Sequence, residues 1–118
     1  MRPHRKLIVW QESIQFTKEI YKCTSVLPES EKFGLTSQIR RAAASIALNI
    51  AEGAGRQSKK EFQRFLYISQ GSSSEVDTLL EILKELNFMK EESIKKYIEM
   101  NERISAMING LIKSLSVR

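Results

Sequence analysis

The sequence has few of the residues on which catalysis and metal binding most often depend. His4 and Cys23 are the single histidine and the single cysteine among 118 residues. A single histidine and a single cysteine remove most nucleophile–base arrangements. Zinc-ligand spacings and the Glu-x-x-His pairs of di-iron bundles are missing from the sequence. The sequence therefore predicts a protein that is not an enzyme, with no catalytic residues, no metal and no cofactor. A lone cysteine cannot form an internal disulfide, which favours a reducing compartment.

Long apolar runs, prolines and glycines are scarce as well. No stretch approaches the roughly 20 apolar residues that span a bilayer, and no signal-peptide core follows the basic start. We therefore expect a cytoplasmic protein with no membrane partner. With two prolines and five glycines, long segments rich in helix-forming residues run uninterrupted. The length fits one domain, expected over residues 1–118.

Hydrophobic residues recur at helical spacing in four segments. They predict helices over about residues 9–27, 36–54, 59–87 and 91–115. Pro28 should end the first helix, and Thr36 or Ser37 should cap the second. Short connections favour antiparallel neighbours, so the predicted fold class is all-α, an up-down-up-down four-helix bundle. The first helix carries two apolar stripes, which fit either one wide buried face or a subunit interface.

The stretch NIAEGAGRQSKKEF, residues 49–62, superficially looks like a phosphate-binding loop. It lacks the Walker spacing and the third glycine and preceding strand of a dinucleotide-binding fingerprint. We instead interpret Gly53 and Gly55 as the end of the second helix. Ser58 and Glu61 then form an S-x-x-E capping box that starts the third.

Positive charge concentrates around that turn. The net charge is +5, and residues 36–65 alone hold six Lys or Arg against two Glu. Such a patch is typical of a polyanion-binding surface, usually for RNA or DNA, although a merely solvated basic surface explains it equally well. Few aromatic residues are placed for base stacking, so phosphate contacts should dominate. The expected nucleic-acid-binding residues are Arg56, Lys59, Lys60 and Arg64, with Arg2, Arg5 and Lys6 as a mobile arm.

Glycine and serines lie in the middle of the predicted third helix, at residues 69–74. The glycine weakens a helix by up to ~1 kcal/mol relative to alanine, so some interaction should offset it. Antiparallel pairing about the turn puts Ala43 opposite Gly71. We therefore predict a close helix contact at Ala43, Gly71 and Ser72, with a ligand groove at the serines as the less favoured alternative.

Polar residues also recur at helical spacing beside the apolar stripe of the second helix. We predict a contact between Glu75 and either Arg40 or Arg41 across the helix pair, which would fix register more than add stability. Asn101, in the core seam of the fourth helix, should fix register or oligomeric state. The expected structural polar network comprises Arg41, Ser45, Asn49, Glu52 and Glu75.

The segment QIRRAAASIALNIAEG, together with Leu7–Gln11 and Gly71, Ser72 and Glu75, resembles the 23S rRNA intervening-sequence protein family. The likeness covers about residues 5–115. It implies an antiparallel four-helix bundle and a homopentamer of bacterial origin. These proteins are also called ribosomal-protein-like because their genes lie in rRNA insertions, which does not make them ribosomal subunits. The residues that match the family pattern are Arg41, Ser45, Asn49, Glu52, Gly53, Gly71, Ser72 and Glu75.

A related branch of that family serves diversity-generating retroelements as an accessory protein, and there a basic pentamer surface contacts RNA and a reverse transcriptase. Together with the charge pattern, the resemblance favours a non-enzymatic oligomer that binds structured RNA or another polyanion. The alternative hypothesis is a protein-interaction scaffold with no direct nucleic-acid role.

Overall fold

The structure, a computed structural model, describes residues 2–116; residues 1, 117 and 118 of the expected domain lie outside this range. All four long elements are α-helices, and the described range contains no strand, so the predicted all-α four-helix bundle is confirmed. The helices are α1 (Ile8–Thr24), α2 (Leu35–Ala54), α3 (Lys59–Glu85) and α4 (Glu91–Ser116). Two short 3-10 helices, Pro3–Lys6 and Glu29–Glu31, precede α1 and α2.

The four helices form a square in cross-section. Helices α1 and α3 each pack against both α2 and α4, whereas the backbones of the two diagonal pairs do not approach closely within the described range. Cross-helix hydrogen bonds pair Gln70 with Ser105, and Ser73 with Asn101, so α3 and α4 run antiparallel. The bundle measures 47 × 21 × 19 Å. The starts of α1 and α3 therefore share one end with the last turns of α2 and α4.

One of the two apolar stripes of α1 faces the core. Val9, Phe16 and Ile20 are buried among side chains of α2, α3 and α4. Ile14 and Tyr21, from the other stripe, are 41% and 47% exposed. The core is thus filled from a single face of α1, and the second stripe is left at the surface.

Two helix boundaries near the α1–α2 connection differ from the prediction. Helix α1 ends at Thr24, because residues 25–27 form a turn in which the Leu27 N–H donates to the Thr24 carbonyl. Helix α2 begins at Leu35 with Gly34 as its N-cap, so Thr36 and Ser37 are not the cap. Instead, a carboxylate oxygen of Glu31 accepts the Leu35 N–H at 3.2 Å. A side chain four residues earlier thus satisfies the free donor.

The two ends of α3 follow different capping rules. At the start, Ser58 Oγ accepts the Glu61 N–H at 3.1 Å, which is one half of the predicted capping box. The Glu61 carboxylate lies 3.5 Å from Arg64 Nε, and within the described residues it accepts no bond from the Ser58 N–H. At the other end, α3 stops two residues before the predicted boundary of 87, and Asn87 takes a left-handed conformation with φ 59°. The Phe88 N–H donates to Leu83 and the Asn87 N–H to Lys84. This is a Schellman motif, in which asparagine replaces the usual glycine.

Hydrogen bonds link the serine-rich segment of α3 to both neighbouring helices. Ser69 Oγ donates to the Ile46 carbonyl of α2 at 2.9 Å, and Ser72 Oγ to Ser45 Oγ at 2.8 Å. Ser73 Oγ donates to Asn101 Oδ1 of α4 at 2.9 Å. Cross-helix hydrogen bonds therefore offset the low helix propensity of these serines, and the buried Asn101 links α3 to α4 within the chain.

Gly71 does not make the predicted close contact. It is exposed, and a Cβ added there would meet no atom within 4 Å. The expected pairing with Ala43 was wrong because the observed α2–α3 register is shifted by one to three residues. The Ala43 carbonyl instead accepts a hydrogen bond from Thr17 of α1, at 3.3 Å. Only Ser72, among the three predicted residues, forms a hydrogen bond across the α2–α3 interface.

The predicted contact between Glu75 and Arg40 or Arg41 is also absent from the described residues. Arg40 turns towards α1, where its Nε donates to Thr24 Oγ1 at 2.9 Å. Arg41 and Glu75 are both exposed. The Thr24 hydroxyl and the Tyr21 ring, both on α1, therefore bind the Arg40 guanidinium in place of Glu75.

Candidate nucleic-acid interface

The antiparallel fold brings the basic segments of the sequence to one end of the bundle. The start of the chain and the α2–α3 turn both lie there, because α1 starts where α2 ends. Residues 2–6 and 52–64 together hold seven Lys or Arg and two Glu. We call this end the basic pole. It contains all seven cations that the sequence predicted to bind nucleic acid.

The N-terminal segment is packed rather than mobile. It forms the 3-10 helix Pro3–Lys6, which contacts both α1 and α2. Gln11 Nε2 donates to the Arg5 carbonyl at 2.8 Å, and the His4 and Trp10 rings lie 4.8 Å apart. The Arg5 guanidinium lies 5.5 Å from the Trp10 ring centroid. The expected mobile arm is therefore wrong, because a tilted His4–Trp10 ring contact and the Arg5 guanidinium beside the Trp10 ring hold the segment against α1.

A cleft at the basic pole joins the N-terminal segment to the α2–α3 turn. Arg2 and Arg56 both line it, and its volume is about 420 Å³. Glu52 lies in the same cleft, and its carboxylate accepts a hydrogen bond from Arg56 Nη2 at 2.8 Å. Glu52 thus belongs to the basic pole, where it offsets part of the charge of Arg56.

Two arginines of the pole are oriented by one aromatic ring. The guanidinium carbons of Arg56 and Arg64 lie 4.9 and 5.0 Å from the Phe65 ring centroid, within the distance for cation–π attraction. Arg64 also lies 3.5 Å from the Glu61 carboxylate. Gly53 allows α3 to approach α2 closely here, because a Cβ there would lie 2.7 Å from Phe65 Cβ and 2.9 Å from Phe62 Cδ1. Gly53 therefore lies inside α2 as a packing residue, and Gly55 is the C-cap.

Lys59 and Lys60 are the cations of the α2–α3 turn that lie closest to the start of α3. Both are exposed in its first turn, and neither forms an ion pair within the described residues. The N-terminus of a helix carries partial positive charge and free N–H groups, which favour a bound anion. These two lysines and the helix terminus therefore offer positive charge that no ion pair within the described residues neutralises.

The polar stripe of α2 forms a smaller network than predicted. Asn49 Nδ2 donates to the Ser45 carbonyl and hydroxyl at 2.9 and 3.0 Å, and Ser72 Oγ donates to Ser45 Oγ. Arg41 and Glu75 form no side-chain hydrogen bond within the described range. The network therefore comprises Ser45, Asn49 and Ser72, and it ties α2 to α3.

An apolar groove that the sequence analysis did not identify lies between the N-terminal segment, α1 and α2. Its volume is about 320 Å³ and it is lined by His4, Trp10, Ile14, Thr17, Ala44, Ala47, Leu48 and Ala51. Leu48 is 68% exposed at its edge. The second apolar stripe of α1 already indicated the α1 side of this groove. The α2 side was not predicted, because its alanines are equally consistent with core positions in the sequence.

The titratable groups give no sign of catalytic chemistry. Burial raises the pKa of the Cys23 thiol to about 11, so this thiol is protonated and unreactive at neutral pH. No group of three or more His, Cys, Asp or Glu side chains in residues 2–116 is arranged to hold a metal ion. Within the same range, every helix is too short or too polar to cross a bilayer.

Comparisons with known proteins agree with this architecture. The solved structure of a Bacteroides thetaiotaomicron protein, described as one of unknown function from the S23 ribosomal protein family, superimposes with a TM-score of 0.81. The two sequences are 27% identical, and the match covers 90% of this chain and 99% of the other. None of the curated proteins matches the chain. The family model described as 23S rRNA-intervening sequence protein matches residues 5–110, so this chain belongs to that family.

Proposed function

We propose that the protein is a non-enzymatic, self-associating helical bundle that binds structured RNA or another polyanion through its basic pole. The observation that carries this proposal is the gathering of seven cations and only two carboxylates, from two separate chain segments, at one end of the molecule. A surface with this excess of positive charge attracts phosphates irrespective of base sequence.

The side chains of the pole favour contact with a phosphate backbone rather than with base edges. Lys59 and Lys60 extend from the first turn of α3, where the helix terminus adds hydrogen-bond donors. Arg56 and Arg64 are already oriented by Phe65, so less side-chain entropy is lost on binding. Contacts of this kind fix position on a nucleic acid and carry little sequence information.

Self-association would place several basic poles on one oligomer. The apolar groove and the exposed Leu48 offer a surface on which another copy can bury apolar area, and the family resemblance favours a pentamer. Several poles on one oligomer raise the apparent affinity for a long polyanion through effective concentration. The single thiol, protonated in the fold, is compatible with the cytoplasmic location that we propose.

The same groove supports a second candidate function. A protein-interaction scaffold would use the groove for an apolar helix of a different protein, since amphipathic helices bind in grooves of this kind. In that case the basic pole would be solvated surface. Nucleic acid that copurifies with the protein and absorbs at 260 nm would favour the first candidate.

Charge reversal tests the proposal. We expect Lys59→Glu/Lys60→Glu to weaken binding of a fluorescein-labelled RNA hairpin by about tenfold or more at low salt, as lost phosphate contacts do. Lys95→Glu/Lys96→Glu is the matched control, because these adjacent exposed lysines lie near the start of α4, at the opposite end. Fluorescence anisotropy measures both. Absence of binding at low salt, or equal losses in the two variants, would refute the proposal.

A further inference from the structure

A groove at the end of the bundle opposite the basic pole has a different chemical character. It lies between the α1–α2 connection and the first turns of α2, and we call it the connector groove. Its volume is about 470 Å³, within the roughly 300–1,000 Å³ of ligand-binding clefts. It is lined by Tyr21, Lys32, Phe33, Thr36, Ser37, Arg40, Arg41 and Ala44. We propose that this groove binds a single-stranded segment of nucleic acid.

The lining carries positive charge only. Lys32, Arg40 and Arg41 are its charged residues. Of the acids in the α1–α2 connection, Glu31 accepts the Leu35 N–H, and Glu29 lies 4.0 Å from Lys32 in a highly exposed pair. An exposed pair of that kind is readily exchanged for another anion. The groove therefore complements a phosphate group.

Arg40 is held in place before any ligand binds. Its Nε donates to Thr24 Oγ1 at 2.9 Å, one Nη2–H donates to the Tyr21 carbonyl at 3.1 Å, and its guanidinium carbon lies 4.5 Å from the Tyr21 ring centroid. A guanidinium has five N–H donors, so three remain without a partner among the described residues. Because the side chain is already ordered, binding a phosphate costs it little further entropy.

Phe33 offers an aromatic face to a base. It is 89% exposed, although it lies in a connection otherwise rich in polar residues. Its ring has Lys32 Nζ 5.6 Å from its centroid. Aromatic rings beside cations are the stacking platforms of single-strand-binding proteins. Bases in a duplex are already stacked and paired, so this arrangement selects a single strand over a duplex.

The start of α2 adds hydrogen-bond donors to the groove. Thr36, in the first turn of this 20-residue helix, is 8% exposed. Its hydroxyl has no hydrogen-bond partner among the described residues, and because no buried side-chain oxygen there lacks a partner, this hydroxyl is open to solvent. It lines the groove beside the free N–H groups that a helix N-terminus presents. A phosphate placed there would meet the hydroxyl, the helix terminus and the Arg40 guanidinium together.

The connector groove and the basic pole are separate sites. Along α2, Arg40 of the groove and Glu52 of the pole are twelve residues apart, which at 1.5 Å per residue is about 18 Å. The pole combines charge with few accessible rings and should accept structured RNA. The groove combines charge with an exposed ring and should accept unpaired nucleotides. Either site can therefore fail its test without the other.

A stacking variant tests the proposal with a fluorescein-labelled single-stranded oligoadenylate of ten nucleotides as probe. We expect Phe33→Ala to weaken binding by about 5- to 150-fold, the loss of one stacked base, while leaving the salt dependence unchanged. Arg41→Ala should weaken binding and also reduce the salt slope by about one. Val26→Ala is the matched control, because Val26 is an exposed apolar residue of the same connection outside the groove.

Three controls decide between nucleic acid and other occupants. A fluorescein-labelled RNA duplex should bind Phe33→Ala and wild-type protein alike, whereas Lys59→Glu/Lys60→Glu should weaken duplex binding. Equal affinity of Phe33→Ala and wild type for the oligoadenylate would overturn the proposal. So would competition by polyglutamate at the same charge concentration, which would indicate an acidic protein. A change of sedimentation coefficient in Phe33→Ala would also overturn it, since the groove would then be a subunit interface.

Discussion

Gly53 is tightly packed in this bundle, whereas Gly71 borders open space. A Cβ at Gly53 would lie 2.7 Å from Phe65 Cβ and 3.2 Å from the Phe62 carbonyl oxygen, whereas a Cβ at Gly71 would meet nothing within 4 Å. We expect Gly53→Ala to lower the free energy of unfolding by about 1–3 kcal/mol, through overpacking. Gly71→Ala should raise it by about 0.5–1 kcal/mol, because alanine is the better helix former. Urea denaturation followed by circular dichroism measures both.

The pair of glycine variants also tests the surface around Gly71. A loss of stability in Gly71→Ala would show that another molecule, such as a second copy, approaches α3 closely at this point. A gain in Gly53→Ala would contradict the close approach of Phe62 and Phe65 to Gly53.

At the scale of elements, a buried hydrogen-bond pair fixes α3 against α4. Asn101 is 3% exposed, accepts from Ser73 Oγ at 2.9 Å and donates to the Ser73 carbonyl at 2.8 Å. We expect Asn101→Ala to cost about 1–3 kcal/mol of unfolding free energy, because it leaves the buried Ser73 hydroxyl without its partner and removes the second hydrogen bond to the Ser73 carbonyl. Ser114→Ala, at an exposed serine bonded only within α4, should stay within about 0.5 kcal/mol.

A double-mutant cycle separates this pair from general packing. Ser73→Ala and Asn101→Ala should be coupled by more than about 0.5 kcal/mol, as residues in contact are. Strict additivity in thermal or urea unfolding would mean that the two side chains do not fix the register of α3 and α4.

The sequence predicted the four helices because their apolar residues recur with helical period, and it placed α2 and α4 within about one residue of their observed ends. Register was harder to predict, since a shift of one to three residues between α2 and α3 placed Ser69 and Ser72, rather than Gly71, at the α2 contacts. Arg40 was assigned to the wrong neighbour because spacing does not tell which of two flanking helices a long side chain approaches.

The candidate site was only partly predictable for similar reasons. Charge counting found all seven cations of the basic pole, because they lie in two short segments. It did not identify Phe65, whose ring orients two of these cations. Nor did it identify the packing role of Gly53, because in the sequence this glycine fits a helix cap as well as a close contact. The ordered N-terminal segment depends on His4 and Arg5 meeting Trp10, a contact with no periodic signal.

At the scale of the whole molecule, the apolar groove predicts where copies meet. We expect Leu48→Glu to shift the protein towards the 13.6 kDa monomer, since a charge at this exposed groove edge opposes burial in an interface. Val26→Glu, at another exposed apolar residue outside the groove, is the control. Sedimentation velocity resolves the species. A monomeric wild-type protein at micromolar concentration, or an unchanged Leu48→Glu oligomer, would contradict self-association through this groove.

The central claim is that the basic pole binds a polyanion through phosphate contacts, and the salt dependence of binding tests it most directly. The logarithm of the association constant for an RNA hairpin, plotted against the logarithm of salt concentration, should be steep for wild-type protein. Its slope should become shallower by about two in Lys59→Ala/Lys60→Ala, and stay unchanged in Lys95→Ala/Lys96→Ala. A flat wild-type slope, or one that the pole variant leaves unchanged, would contradict the account.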